Sequence, residues 1–298
     1  RFEFNGRQTI AVAGITLIPQ CIGTGQAAGV AAALSAMVMS GCCYEAALPK
    51  AESWGTTKYG EEAHLWTLEG KDGLKLVVSD FGGRVVECWA PDRDGNMADV
   101  TLGCKTVADY EKYGFCLGTL IGRFGNRIKD GKFTLDGNEY QLAVNETTPE
   151  PRHCNLHSGP IGWDAKVWAA EPFVEGDVKG ILFTLVSPDG DMGFPGQVTA
   201  RVAYTVHPGN VWRIEYEAST DKATVINLTH HSYWNMAGES SGNVLEQTLK
   251  INADYYTKTD AGLIPTENAP VKDTGFDFTS PRAIGAKADW MAKEASLK

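Results

Sequence analysis

The sequence holds no C-x-x-C pair, and its seven cysteines (Cys21, Cys42, Cys43, Cys88, Cys104, Cys116 and Cys154) are scattered and odd in number. That usage excludes a disulfide framework and a cysteine zinc motif. Positive charge is in deficit, with 27 Lys and Arg against 37 Asp and Glu and a net charge of −10. Gripping a phosphate backbone needs clustered basic residues, so nucleic acid is excluded as a partner. Helical periodicity is nearly absent, and "TVADYEKY" alone reads as a short helix. From Trp54 onward no apolar run approaches the roughly 20 residues that a membrane-spanning helix requires. Histidine is scarce too. There are six, yet His230 and His231 stand together in "NLTHHSYWN".

Turn formers are plentiful, with 33 glycines and 13 prolines, and between them the hydrophobic period is two. In "VWRIEYEAS", Trp212, Ile214, Tyr216 and Ala218 alternate with Arg213, Glu215 and Glu217, the pattern of a strand with one wet face. "QVTARVAYTV" repeats it, and "LKLVVS", "GILFTLVS" and "EQTLKIN" are further strand candidates. Asp136 and Gly137 in "KFTLDGNEYQL" supply a two-residue hairpin turn. The expected fold class is all-β, a large antiparallel β-sandwich, over residues 54–298.

Residues 1–53 read differently. "CIGTGQAAGVAAALSAMVMSGCC" is almost uncharged and rich in Ala and Gly. The run from Ala27 to Met39 ahead of "MSGC" is similar to a signal segment ending in a lipoprotein box, with Cys42 as the lipidated residue. Residues 5–35 also resemble the tail of an FAD-dependent oxidoreductase, and a plain leader is the third reading. A lipid on Cys42 would place the protein outside the cytoplasm and give its one membrane contact; without it a cytoplasmic location is expected.

Three clusters bear on chemistry. If "HHSYWN" is a strand, His231, Tyr233 and Asn235 share one face and His230, Ser232 and Trp234 the other, so only one histidine can be chemical. An imidazole suits proton transfer because its ordinary pKa, about 6.5, lies near neutrality. In "PRHCNLHSG", His153 and His157 are four apart, but Pro151 before them and Ser158, Gly159 and Pro160 after them argue against the helix that a metal pair would need. In "GRFGNRIKDGKF", Arg123, Asn126 and Arg127 read either as a solvated turn or as donors to hydroxyl groups. The sequons at Asn145 and Asn227 are best read as chance.

Taken in order, "GTLIGRFGNRIKDGKFTLDGNEYQLAVNE", "NLHSGPIGWDAKVW", "SPDGDMGFPGQVTARVAYTV", "NLTHHSYWNMAG" and "LIPTENAPVKDTGFDFTSPRAIG" resemble the aldose 1-epimerase (galactose mutarotase) family over roughly residues 62–285. The resemblance implies that family's supersandwich fold and interconversion of the α and β anomers of free aldohexoses. It implies no metal or organic cofactor, and a galactose-like or glucose-like monosaccharide as partner. It gives His231 the role of proton donor to the ring oxygen. Asn126, Arg127, His157, Ser232, Tyr233 and Trp234 become substrate contacts. His230 stands where the family usually has Asn. The family's catalytic Glu and a substrate-binding Asp are expected beyond Lys298, which makes the sandwich incomplete at the C-terminus and the chain at best weakly active. The alternative is a non-catalytic carbohydrate-binding sandwich.

Overall fold

The computed structural model describes residues 47–114 and 116–287. The Ala-rich and Gly-rich segment, Cys42 and the region similar to a flavoprotein tail lie outside them. Among the described residues no helix is long and apolar enough to cross a membrane.

The first sheet among the described residues is antiparallel and five-stranded, in the order β1 (Glu52–Thr56), β2 (Glu62–Glu69), β3 (Lys75–Ser79), β4 (Arg84–Pro91) and β5 (Met97–Asp99). A short helix, α1 (Val107–Tyr113), follows, and the Thr106 hydroxyl caps it by accepting from the Asp109 amide. Short strands come next: β6 (Leu120–Ile121), β7 (Arg127–Lys129), β8 (Lys132–Leu135), β9 (Asn138–Gln141) and β10 (Cys154–Leu156). The second large sheet is antiparallel and sequential: β11 (Ala169–Glu175), β12 (Val178–Ser187), β13 (Val198–His207) and β14 (Val211–Thr220). β15 (Thr229–His230) pairs with β6. The chain then runs through β16 (Thr248–Leu249), β17 (Tyr255–Thr259), β18 (Pro265–Pro270) and β19 (Arg282–Ala283).

The main core lies between the two large sheets, and alternation explains which side chains enter it. Trp66 and Leu68 of β2, Leu76 and Val78 of β3, Ile181 and Phe183 of β12, Ala200, Val202, Tyr204 and Val206 of β13, and Trp212 and Ile214 of β14 form one buried cluster. Each large apolar side chain buried there contributes about 1.5–3 kcal/mol. Tyr204 keeps a polar handle, its hydroxyl donating to the Gly83 carbonyl at 2.6 Å and tying β13 to the turn before β4. The other face of the five-stranded sheet is covered by α1, where Ala63, Val86, Val107 and Tyr110 pack together.

Asp136 (φ 49°) and Gly137 (φ 79°) do make the β8–β9 hairpin turn, both left-handed as such a turn demands. The expectation for "EQTLKIN" needs correction. Only Thr248–Leu249 is strand, paired with β19, because the backbone of Ile251 turns away to donate to Phe278 O at 2.7 Å.

Candidate functional site

The 227–235 segment is fastened residue by residue to segments that precede it in the chain. Gly125 N donates to Asn227 O (2.7 Å) and Asn227 N to Arg123 O (2.9 Å). Thr229 and His230 pair with Ile121 and Leu120, His231 N donates to Thr119 O (2.9 Å), and Gly118 N donates to His231 O (3.1 Å). Leu102 N then takes Tyr233 O, and Asn235 N finds Val100 O, both at 2.9 Å. Gly125 permits this closeness. A Cβ there would lie 2.9 Å from Thr229 Cγ2 and 3.1 Å from Asn227 O. The 117–119 turn is in turn anchored by Arg84, whose Nε donates to Leu117 O at 3.0 Å from between the Phe81 and Tyr110 rings.

This arrangement opens a cavity of about 450 Å³, lined by Gly125, Asn126, His157 and the continuous run from Asn227 to Tyr233. The volume lies in the range of small-molecule sites, roughly 300–1,000 Å³. His157 and His231 meet in it edge to face, with ring centroids 5.1 Å apart, and Tyr233 lies 5.2 Å beyond His231. Both histidines of the 230–231 pair contribute to the lining, which regular strand alternation forbids. The reason is local: the strand ends at His230. Their rings nevertheless diverge. His230 packs between Trp212 (5.2 Å) and Tyr204 (5.7 Å), its Nδ1 accepts from Ser232 N at 3.3 Å, and its Nε2 is sealed with no partner among the described residues.

His157 is held by a two-way clasp. Its amide donates to Asn126 O and its Nδ1 accepts from Asn126 N, each at 3.0 Å. A backbone N–H only donates, so Nδ1 is the acceptor and the neutral ring carries its proton on Nε2. Both residues are left-handed, Asn126 at φ 67° and His157 at φ 53°, as is Ser158 at φ 61°. Such conformations persist where surrounding bonds fix them. Here the Ser158 hydroxyl accepts from Phe124 N at 2.7 Å and completes the clasp.

Burial, followed by the nearby His231 and Arg127, lowers the pKa of His157 to about 4, and burial with His231 lowers that of His230 to about 3. Both values lie below the ordinary 6.5, so the unfolded chain binds these protons first. Their contribution to stability is therefore complete above about pH 6.5 and is lost as pH falls through the folded values, by up to about 1.4 kcal/mol per pH unit for each proton. Asp80, Asp99 and Asp164, whose pKa values burial raises, act with the opposite sign. Urea unfolding of the unsubstituted chain and of His157→Gln at pH 7 and pH 5 isolates the histidine share: the variant should lose less stability on acidification. Equal losses would contradict the neutral, buried state of His157.

The remaining expected contacts divide. Asn126 and Tyr233 line the cavity. Ser232 lines it as well, but its hydroxyl oxygen is sealed and has no partner among the described residues. Arg127 is not a lining residue; its Nη1 donates to Asn126 Oδ1 at 3.2 Å while Nε and Nη2 grip Glu146 at 2.5 and 2.9 Å. Trp234 also lies off the lining and tilts against Trp212, 5.9 Å away, at the margin of the core. Arg123 is neither in a solvated turn nor at the cavity lining; the hydroxyls it reaches are internal, those of Ser187 and Thr224. It is 1% exposed and donates to the carbonyls of Ser187, Pro188, Pro195 and Gly196. His153 pairs with Asp130 at 3.1 Å, away from His157. Both sequon amides donate internally, Asn145 to Leu156 O and Asn227 to Gly125 O. Sequence reasoning missed Glu146, and also the lining role of Gly125, Asn227, Leu228 and Thr229.

Comparison with known proteins identifies the family. The aldose 1-epimerase family model matches residues 64–296. Galactose mutarotase from Homo sapiens is 38% identical over 215 residues, 72% of this chain and 60% of the relative. Aldose 1-epimerase from Escherichia coli K12 is 34% identical over 229 residues, 76% of this chain and 64% of the relative. Among solved structures, galactose 1-epimerase from Lactobacillus acidophilus superposes with a TM-score of 0.72 at 26% identity, covering 84% of this chain and 71% of that one. An aldose epimerase homologue from C. elegans gives 0.69 at 30% identity, covering 76% and 67%. The chain spans about 60% of the length of the mammalian galactose mutarotases it matches. With an ordered sandwich, a paired-histidine cavity and a family match over most of its length, the chain belongs to the aldose 1-epimerase family.

Proposed function

We propose that the cavity takes a free aldohexose and that this chain supplies the acid half of anomer interconversion. One arrangement carries the reading: two imidazoles, His157 and His231, meet edge to face in a cavity whose lining, among the described residues, holds no Lys, Arg, Asp or Glu. Names of relatives, galactose mutarotase and aldose 1-epimerase, point the same way.

His231 donates a proton to the ring oxygen while a base removes the anomeric hydroxyl proton. The C1–O bond to the ring breaks, the anomeric oxygen becomes a carbonyl, and C1 turns about its bond to C2. On closure the ring oxygen attacks the other face of C1 and returns its proton to His231, and the base returns the other proton to the anomeric oxygen. His157, with its proton on Nε2, donates to a sugar hydroxyl. Asn126 offers its side-chain amide, and the Tyr233 ring, 43% exposed, gives the sugar's C–H face an apolar surface.

No Asp or Glu lines the cavity among the described residues, which favours a second reading, a sugar-binding sandwich without catalysis. Polarimetry of freshly dissolved α-D-galactose, paired with calorimetric titration, separates the two. Mutarotation faster than in buffer supports the enzyme; heat of binding without acceleration supports the binding module; neither signal contradicts both.

A further inference from the structure

We propose that Glu146 is a positioning residue that sets the charge selectivity of the cavity: by occupying the Arg127 fork it makes the site admit uncharged aldoses and reject their phosphates. The inference rests on the proposed reading of the cavity as a monosaccharide site.

Glu146 is placed by backbone pairing. Its amide donates to Cys154 O at 3.2 Å and Cys154 N donates back at 3.1 Å, while Cys154 and Leu156 of β10 pair with Lys129 and Arg127 of β7. The carboxylate thus lands beside the guanidinium. Oε2 accepts from Arg127 Nε at 2.5 Å and from the Cys154 thiol at 3.2 Å; Oε1 accepts from Arg127 Nη2 at 2.9 Å and from Arg152 Nη1 at 3.0 Å. All three charged side chains are largely buried, at 16% exposure for Arg127, 12% for Glu146 and 20% for Arg152.

The consequence concerns what Arg127 has left to offer. A guanidinium presents a planar fork suited to a carboxylate or phosphate, and a two-point grip on such a group is the strong mode of anion recognition. Here the Nε and Nη2 edge is taken by Glu146. Nη1 donates to Asn126 Oδ1, a side-chain link from this charge cluster to the lining. Arg127 therefore orients Asn126 as a neutral contact and holds its Nε–Nη2 fork closed to an incoming anion. Remove the carboxylate charge and the fork is released next to Asn126, with Arg152 adding positive field behind it.

Calorimetric titration of the full chain with D-galactose and with D-galactose 6-phosphate, at low and at physiological salt, tests this. The unsubstituted chain should bind the neutral sugar and prefer it to the phosphate. Glu146→Gln should shift the affinity ratio toward the phosphate by about tenfold, the worth of one charge-assisted contact, and salt should erase most of the shift. Glu146→Asp, which restores the charge, should restore the preference. A merely structural role would lower both affinities together, so an unchanged ratio in a folded Glu146→Gln overturns the proposal. Should that variant not fold, the unsubstituted chain still decides, since phosphate binding as tight as galactose binding also overturns it. If the unsubstituted chain binds neither sugar, the reading of the cavity falls, and this inference with it.

Discussion

Replacing His231 by Asn is expected to slow exchange between the anomers of D-galactose by about 10²–10⁴-fold, the usual worth of one positioned acid, with affinity for the sugar changed less than about tenfold. Asn keeps a polar group of similar reach but cannot give up a proton at neutral pH. The backbone of His231 is fixed at both ends, its amide to Thr119 O and its carbonyl to Gly118 N, so the substitution should leave the segment in place. Magnetisation-exchange NMR on anomer signals measures the rate, and calorimetry measures the affinity. A large loss of rate with affinity retained is the signature of proton donation. Parallel loss of both would mean that His231 only holds the sugar.

The second large effect lies beneath the site. Trp212 is fully buried and touches Tyr204, His230 and Trp234 with ring separations of 5.5, 5.2 and 5.9 Å. Trp212→Ala should cost about 3–5 kcal/mol, the usual price of a large aromatic removed from a packed core. Because the indole Nε1 is buried without a partner among the described residues, Trp212→Phe should cost clearly less: it keeps much of the ring contact and deletes an unsatisfied donor. Urea denaturation compares the pair. The same cavity would relieve the burial that lowers His230, so its pKa should rise in Trp212→Ala, as read by NMR titration. Equal costs for Ala and Phe, with His230 unmoved, would contradict this account of how the core walls in the site.

Three of the four strands of the second large sheet, β12, β13 and β14, were legible through their alternation, whereas β3 alone was read from the first. Trp212 and Ile214 enter the core from β14 just as their period of two implies, and Asp136–Gly137 marks its hairpin through the left-handed turn it needs. The short elements were not, because long-range bonds define them. "EQTLKIN" has a strand's composition, yet only two of its residues find a partner strand. In the site, alternation correctly parted the rings of His231 and Tyr233 from those of His230 and Trp234. It failed where the strand stops, so that His230 also reaches the lining. Most of the remaining site residues came from family resemblance rather than from local pattern. Glu146 had no local signal: its bond to Arg127 spans 19 positions and exists only because β10 lies between the two segments. Arg123 and Arg127, four residues apart, show the limit of reading residue type alone, since one serves carbonyls in the interior and the other a carboxylate beside the cavity.

The proposed chemistry requires one cavity in which His157 and His231 together meet a sugar. Long-range ¹H–¹⁵N spectra of the imidazoles, recorded while D-galactose is added to the full chain at pH 7, test that directly. The nitrogens of His157 and His231 should shift with a common binding curve, His157 remaining in the Nε2–H form, while those of His153 and His207 stay still. Saturable shifts confined to other histidines, or no shift at any galactose concentration, would contradict it.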